Sequence, residues 1–206
     1  MCAIAARPSL SPAPPDEGVR PRRWTRDEYY RAAEVGLFRP EERLELLDGE
    51  ILEKMSPHKE LHAFGVTQVG RIVGDTFGPG HHVRQQLPII LNDASEPEPD
   101  AVVVPGEPAD YLRSHPRAAD VRLLIEVSDT TLRLDRERKL KAYARAGIAE
   151  YWILNLLQRQ LEVYRDPSGA RYRSVTVYRG EQSVAPLAAP QSAVRVSDLL
   201  PPAEPM

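Results

Sequence analysis

An α+β fold is what this sequence predicts, and three observations predict it. Two short apolar runs, Ala101-Val102-Val103-Val104 and Val121-Arg122-Leu123-Leu124-Ile125-Glu126-Val127-Ser128, are β-branched and aliphatic and are bounded by Pro, Gly, Asp and Thr, the pattern of buried strands. Several intervening segments carry helix start and stop signals. Two later segments, Gln160 to Arg165 and Tyr172 to Tyr178, alternate in polarity and read as a half-exposed antiparallel meander joined through Asp166-Pro167-Ser168-Gly169.

Residues 1–23 are proline-rich (Pro8, Pro12, Pro14, Pro15, Pro21) and poor in apolar anchors, which predicts a disordered leader. With 206 residues and 42% hydrophobic content, the chain suits one domain with a full core, here residues 24–200, followed by a proline-rich tail at 201–206. Thr25 as N-cap and Glu28 three residues later form a capping box for a helix that Gly36 ends. Arg43 to Leu47 and Glu50 to Leu52 flank Asp48-Gly49, a hairpin signal. Alternation puts Glu45 on one face with Arg43 and Leu47, either as an exposed acid or as part of a site.

Ser56-Pro57-His58 opens a longer helix to Phe77, with apolar positions at Leu61, Phe64, Val66, Val69, Ile72 and Val73. His58 and His62 would share a face of it, but no third zinc ligand stands at matching spacing. His62 is either a contact to a site acid or phosphate, or a plain surface histidine. His81 to Leu91 reads as a strand in which Pro88 marks an edge or bulge. Gly147 caps a helix from Arg136 to Ala146, Glu150 to Leu154 is a strand, and Ser197 to Leu200 is at most one helical turn.

Composition narrows the function. The net charge of −3 lacks the basic balance of a protein that holds nucleic acid by charge alone. Any positive surface must therefore be local, and Arg133, Arg136, Arg138, Lys141 and Arg145 around the helix from Arg136 to Ala146 are candidates, with Arg71 and Arg84 behind them. A lone Cys2 excludes a disulfide framework and fits the cytoplasm. No secretory signal and no apolar run of about 18 residues is present, so no membrane span is expected.

The chemistry concentrates between Pro99 and Lys139. Asp100 opens one buried strand and Glu126 lies inside the next, and buried acids are costly unless paired or bound to a cation. Two carboxylates on neighbouring strands make a hard oxygen site suited to Mg²⁺ or Mn²⁺. At roughly 100° per residue, Lys139 borders the apolar stripe of Leu140, Tyr143, Ala144 and Ala146, whereas Lys141 points outward. Taken singly, Asp100 is equally a turn residue and Lys139 a snorkelling lysine; the combination in this order favours a site.

The segments Arg43 to Glu50, Met55-Ser56-Pro57 with His62, Pro99-Asp100, Leu124 to Ser128, Asp135 to Lys139 with Tyr143, and Ala144 to Ile153 together resemble the Uma-two family of bacterial restriction endonuclease-like proteins. The resemblance implies the PD-D/E-x-K nuclease fold, a mixed central β-sheet flanked by helices. It implies that Asp100 and Glu126, with the backbone carbonyl of Val127, bind Mg²⁺ or Mn²⁺, and that Glu45 is the upstream acid. Ser128 stands where the superfamily usually has its lysine, and the resemblance places that role on Lys139 in the following helix. The implied activity is metal-dependent hydrolysis of DNA, for which alanine at Asp100 or Lys139 is expected to abolish cleavage with the fold intact. The alternatives are a dimeric binding module that keeps the fold without cutting, and a hydrolase of small phosphate esters. Tyr164, Tyr172 and Tyr178 are candidates for a homodimer face or for stacking on a base.

Overall fold

The computed structural model describes residues 20–54 and 60–202. The leader up to residue 19, the Ser56-Pro57-His58 helix start with the His58 pairing, and the last four residues of the tail lie outside them. In helix α1 (Arg26–Glu34), Thr25 Oγ1 accepts from the Glu28 amide at 3.3 Å and Glu28 Oε2 accepts from the Thr25 amide at 3.0 Å. Such a reciprocal cap contributes about 1 kcal/mol. Strands β1 (Leu44–Leu47) and β2 (Glu50–Glu53) pair antiparallel around Asp48 and Gly49, both at positive φ (53° and 75°), as a tight hairpin turn requires.

The central sheet has six strands in the order β3-β4-β5-β6-β7-β8: His81–Arg84, Ala101–Pro105, Leu123–Ser128, Glu150–Asn155, Gln160–Ser168 and Arg171–Arg179. Only β5 and β6 run parallel, so the sheet is mixed. A parallel pair needs a crossover. It is supplied by a helical stretch made of α3 (Leu132–Leu134), a π-helical turn (Asp135–Lys139) and α4 (Leu140–Arg145). Helix α2 (Glu60–Phe77) covers the opposite face, where Val66, Val69 and Val73 pack on Ala101, Val103, Ile125, Val127 and Trp152. On the α4 face, Tyr143 and Ala144 pack on Val102, Leu124, Tyr151 and Ile153. Strands β9 (Ser183–Val184) and β10 (Val194–Arg195) form a small ladder before the single turn α5 (Val196–Leu199). No described helix is long and apolar enough to cross a membrane.

Gly65 sets how closely α2 approaches the sheet, because a Cβ there would lie 2.7 Å from Val127 Cγ1. Gly65→Ala is therefore expected to lower stability by about 1–3 kcal/mol in a urea titration, the overpacking penalty exceeding the gain in helix propensity.

Several expectations change. The strand expected over 81–91 ends at Arg84, because Gln86 turns to φ 52° and gives its amide to Pro99 O at 3.1 Å, and Pro88 has no N–H to continue a ladder. Leu61, on the expected apolar stripe, is 57% exposed: Gly65 already sits over Val127 near the end of β5, so one turn earlier α2 overhangs the sheet. Tyr164 and Tyr172 are buried and Tyr178 packs partly buried against the core, so these rings are not free for a partner or a base. Tyr151 lies 5.7 Å from Tyr164 and 6.2 Å from Tyr172, and the Tyr172 hydroxyl donates to Ile148 O. Strand β7 is consequently buried over its first five residues, leaving mainly β8 exposed.

Candidate active site

Antiparallel pairing of β4 with β5 brings Asp100 beside Glu126 and Val127. Asp100 Oδ2 accepts from the Val127 amide at 2.9 Å, and the Asp100 amide donates to Glu126 Oε2 at 3.4 Å. In an extended strand the N–H and C=O of one residue point to the same side, so the Val127 carbonyl also faces β4. Lys139 and Tyr143, one helical turn apart, reach down from the crossover. Lys139 Nζ donates to Glu126 Oε1 at 2.9 Å and the Tyr143 hydroxyl donates to the same oxygen at 2.7 Å. Lys139 is only 4% exposed. The π turn brings Asp135 to the same inner side, where Ser128 and Thr131 hydroxyls donate to it.

The hairpin adds Glu45, which is buried and not the exposed acid that alternation left open. Its Oε2 lies 3.4 Å from Lys139 Nζ and 3.5 Å from Lys54 Nζ and accepts from the Glu98 amide, while its Oε1 is buried without a partner. From α2, His62 Nε2 lies 3.2 Å from Asp100 Oδ2, and Gln86 Nε2 donates to Asp100 Oδ1 at 3.2 Å. The structure thus brings Glu45, His62, Asp100, Glu126, Val127 and Lys139 together. Because Lys139 is buried between two glutamates, alanine there would strand their charges, which argues against the expectation that Lys139→Ala leaves the fold undisturbed.

Electrostatics follow from an excess of acids. Among the described residues, Glu45, Glu98, Asp100, Glu126 and Asp135 meet the cations Lys54 and Lys139, with His62 on Asp100 and Arg43 acting on Glu98. Burial raises Glu126 to about 8; Lys139 opposes the rise, and Asp135, Asp100 and Glu45 reinforce it. Burial also acts to raise Asp100, but the His62 hydrogen bond and charge, Lys139 and the Val127 amide bring it down to about 2. For Glu45, Lys139 and Lys54 outweigh burial and hold it below its ordinary value. Burial lowers His62, and the Asp100 hydrogen bond more than restores it, so His62 stays protonated above its usual range. Lys139, despite burial, is held well above its ordinary value by Glu126 and Glu45.

This surplus of negative charge and the unpartnered Glu45 Oε1 suit a hard cation. Among the described residues no group of three or more His, Cys, Asp or Glu side chains is already gathered for a metal ion. The donor set that fits is the Asp100 and Glu126 carboxylates with the Val127 carbonyl, leaving other positions to water, as Mg²⁺ prefers. The basic residues on the flank are largely spent on the protein itself. Arg133 pairs with Glu137, Arg136 with Glu162, Arg138 with Glu50 and Arg145 with Asp48. Arg71 pairs with Asp75, and Arg84 is buried.

The family described as "Putative restriction endonuclease", Uma2, matches residues 26–197. The chain belongs to the Uma2 family. A crystal structure of a putative nuclease belonging to DUF820 from Anabaena variabilis ATCC 29413 superposes with a TM-score of 0.63 at 18% identity, covering 85% of this Uma2 chain and 96% of that one. That likeness shows a shared fold, built on the central mixed sheet. Among curated proteins no relative matches.

Sequence reasoning about this Uma2 protein missed Lys54, Glu98, Gln86 and the hydroxyl of Tyr143. Lys54 was within reach of it: Arg43 pairs with Lys54 through the Lys54 amide just as Glu45 pairs with Leu52, so Lys54 shares the Glu45 face. Asp135 and Tyr143 stand four residues either side of Lys139, a spacing that marks one helix face. Gln86 had no such signal, since its place depends on a left-handed turn.

Proposed function

We propose that this Uma2 protein is a Mg²⁺- or Mn²⁺-dependent endonuclease that hydrolyses phosphodiester bonds of DNA. The observation that carries the reading is the convergence of Asp100, Glu126 and Lys139, two acids from paired strands and a buried lysine from the crossover, in a pocket with more acid than base. Asp100, Glu126 and the Val127 carbonyl hold the cation. When bound, a divalent ion supplies Lewis acidity that makes water nucleophilic at neutral pH and charge that offsets the phosphate.

The chain's own residues do the remaining work. Lys139 and Tyr143 fix the Glu126 carboxylate from one side, and Lys139 presents a positive charge to an oxyanion developing at phosphorus. His62, protonated by its contact with Asp100, orients that carboxylate and offers a further positive charge near a substrate phosphate. Glu45 holds Lys139 in place and keeps an acceptor, Oε1, for a water or second cation.

Supercoiled plasmid with Mg²⁺ tests this. Nicking by the wild type and a loss on the order of 10² to 10³ in rate for Asp100→Ala are expected, the usual cost of removing one electrostatic contact to the reacting groups. Equal nicking by both proteins sinks the proposal. The arginine pairs with Glu137, Glu162, Glu50 and Asp48 favour a second reading, a non-cutting dimeric interaction module with the same fold, because they leave little free positive surface for nucleic acid. That reading predicts neither DNA retention nor nicking at any protein concentration, with or without Mg²⁺.

A further inference from the structure

We infer that Arg84, beside the ring of Tyr111 at edge strand β3, and His115, which is bonded to it, form a binding site for a phosphate oxyanion. Arg84 is 8% exposed, yet among the described residues no carboxylate lies within ion-pair range of it, whereas Lys139 and the flanking arginines all have one. Its hydrogen bond is to an imidazole, Nη2 to His115 Nδ1 at 3.1 Å, and its Nε is buried without a partner. A buried cation left in this state is costly.

The surroundings are one donor imidazole and an aromatic face. Because His115 Nδ1 accepts from a guanidinium that is always protonated, the ring carries its proton on Nε2, free to donate. His82 Nδ1 donates to Gly106 O at 3.1 Å, and its Nε2 is buried and unpartnered. Arg84 Cζ lies 5.7 Å from the Tyr111 ring centroid and the His82 ring 5.5 Å from it, so both groups flank one aromatic ring. The Tyr111 hydroxyl donates to Pro105 O, which fixes that ring. His82, Tyr111 and His115 are half-exposed, so the guanidinium lies just beneath an open rim.

A guanidinium fork with unused N–H groups and the Nε2–H of His115 match the several acceptor oxygens of a phosphate group. The position is also suggestive of its source. Arg84 pairs with Val102, two residues from Asp100, and Gln86, two residues beyond Arg84, donates to Asp100, so the cluster lies next to the candidate active site. The phosphate is therefore that of a nucleic-acid strand or a free phosphate. The inference does not depend on hydrolysis, since neither a divalent ion nor Asp100 takes part.

Scanning calorimetry in EDTA, comparing inorganic phosphate with chloride at matched ionic strength, tests it. At a hundredfold excess over Kd the wild type should melt roughly 5–10 °C higher in phosphate, and Arg84→Met should show no such shift. In chloride Arg84→Met should melt at or above the wild type, because it removes a buried unpaired charge. Arg84→Lys keeps the charge without the planar fork and should bind phosphate about tenfold more weakly. A wild type indifferent to phosphate, an Arg84→Met that responds equally, or an Arg84→Met that melts well below wild type in chloride overturns the inference. So does an Arg84→Lys of unchanged affinity. With single-stranded DNA in EDTA, a salt-dependence slope smaller by about 1 for Arg84→Met assigns the phosphate to a nucleic-acid strand, and an unchanged slope beside a retained phosphate response assigns it to the free ion.

Discussion

Lys139→Met is expected to cost the fold about 3–5 kcal/mol above pH 8, and far less near pH 5. Methionine is nearly as long as lysine, so the buried slot stays filled and the loss is electrostatic rather than a cavity effect. The ammonium lies 2.9 Å from Glu126 Oε1 and 3.4 Å from Glu45 Oε2, and Lys54 remains for Glu45 alone. Without Lys139 both carboxylates are pushed upward. They take protons as the pH falls, which removes the unpaired charge and with it most of the penalty. Urea titrations at pH 5 and pH 9 check this. The double variant Lys139→Met/Glu45→Gln should recover a large part of the loss at pH 9, since neighbouring charges couple strongly. A penalty identical at both pH values would mean that Lys139 contributes packing alone. The plasmid assay, by contrast, should register no nicking from the single variant at either pH, because it lacks the positive charge facing the phosphate.

How much of this was legible in the sequence depends on whether a residue's place is set locally. Thr25 and Glu28, Asp48-Gly49 and Gly147 act through their own backbone neighbourhood, and all stand where the pattern puts them. Lys139 was legible for the same reason: a helical repeat ties its direction to Tyr143 and Leu140, and the π turn upstream leaves that relation untouched. Glu45 was undecided because alternation assigns a face but not what covers it; the cover comes from Lys139 and Glu98, far along the chain. The tyrosines of the meander misled for a related reason. Alternation made Tyr164 and Tyr172 candidates for an exposed face, but α4 and the segment around Ile148 pack on them. The arginine flank shows the same limit from the charge side. Arg136, Arg138 and Arg145 read as free positive surface, and each meets an acid at least 26 residues away.

Mn²⁺ affinity should rise nearly tenfold per pH unit up to about pH 7 and then level off through pH 8, about fiftyfold in all between pH 6 and pH 8. The argument starts from Glu126, whose ordinary value of 4.5 is raised to about 8 in the fold. A cation that binds its carboxylate must displace the proton, so affinity follows the ionised fraction until that fraction saturates. Asp100, already brought down to about 2, is ionised throughout and adds no slope. The same shift fixes the sign for the metal-free protein. A raised Glu126 stabilises the fold fully below its unfolded value and loses that contribution as the pH climbs through the folded one, at most about 1.4 kcal/mol per unit over that window. Cation and pH should therefore compensate one another: Mn²⁺ should raise the melting temperature more at pH 8 than at pH 6. Calorimetry in two buffers of different ionisation enthalpy reads the proton count directly, with about one proton released per ion at pH 7 for the wild type and less for Glu126→Gln. An affinity flat from pH 6 to pH 8 would place the ion away from Glu126, and with it the hydrolytic reading of this pocket would fail.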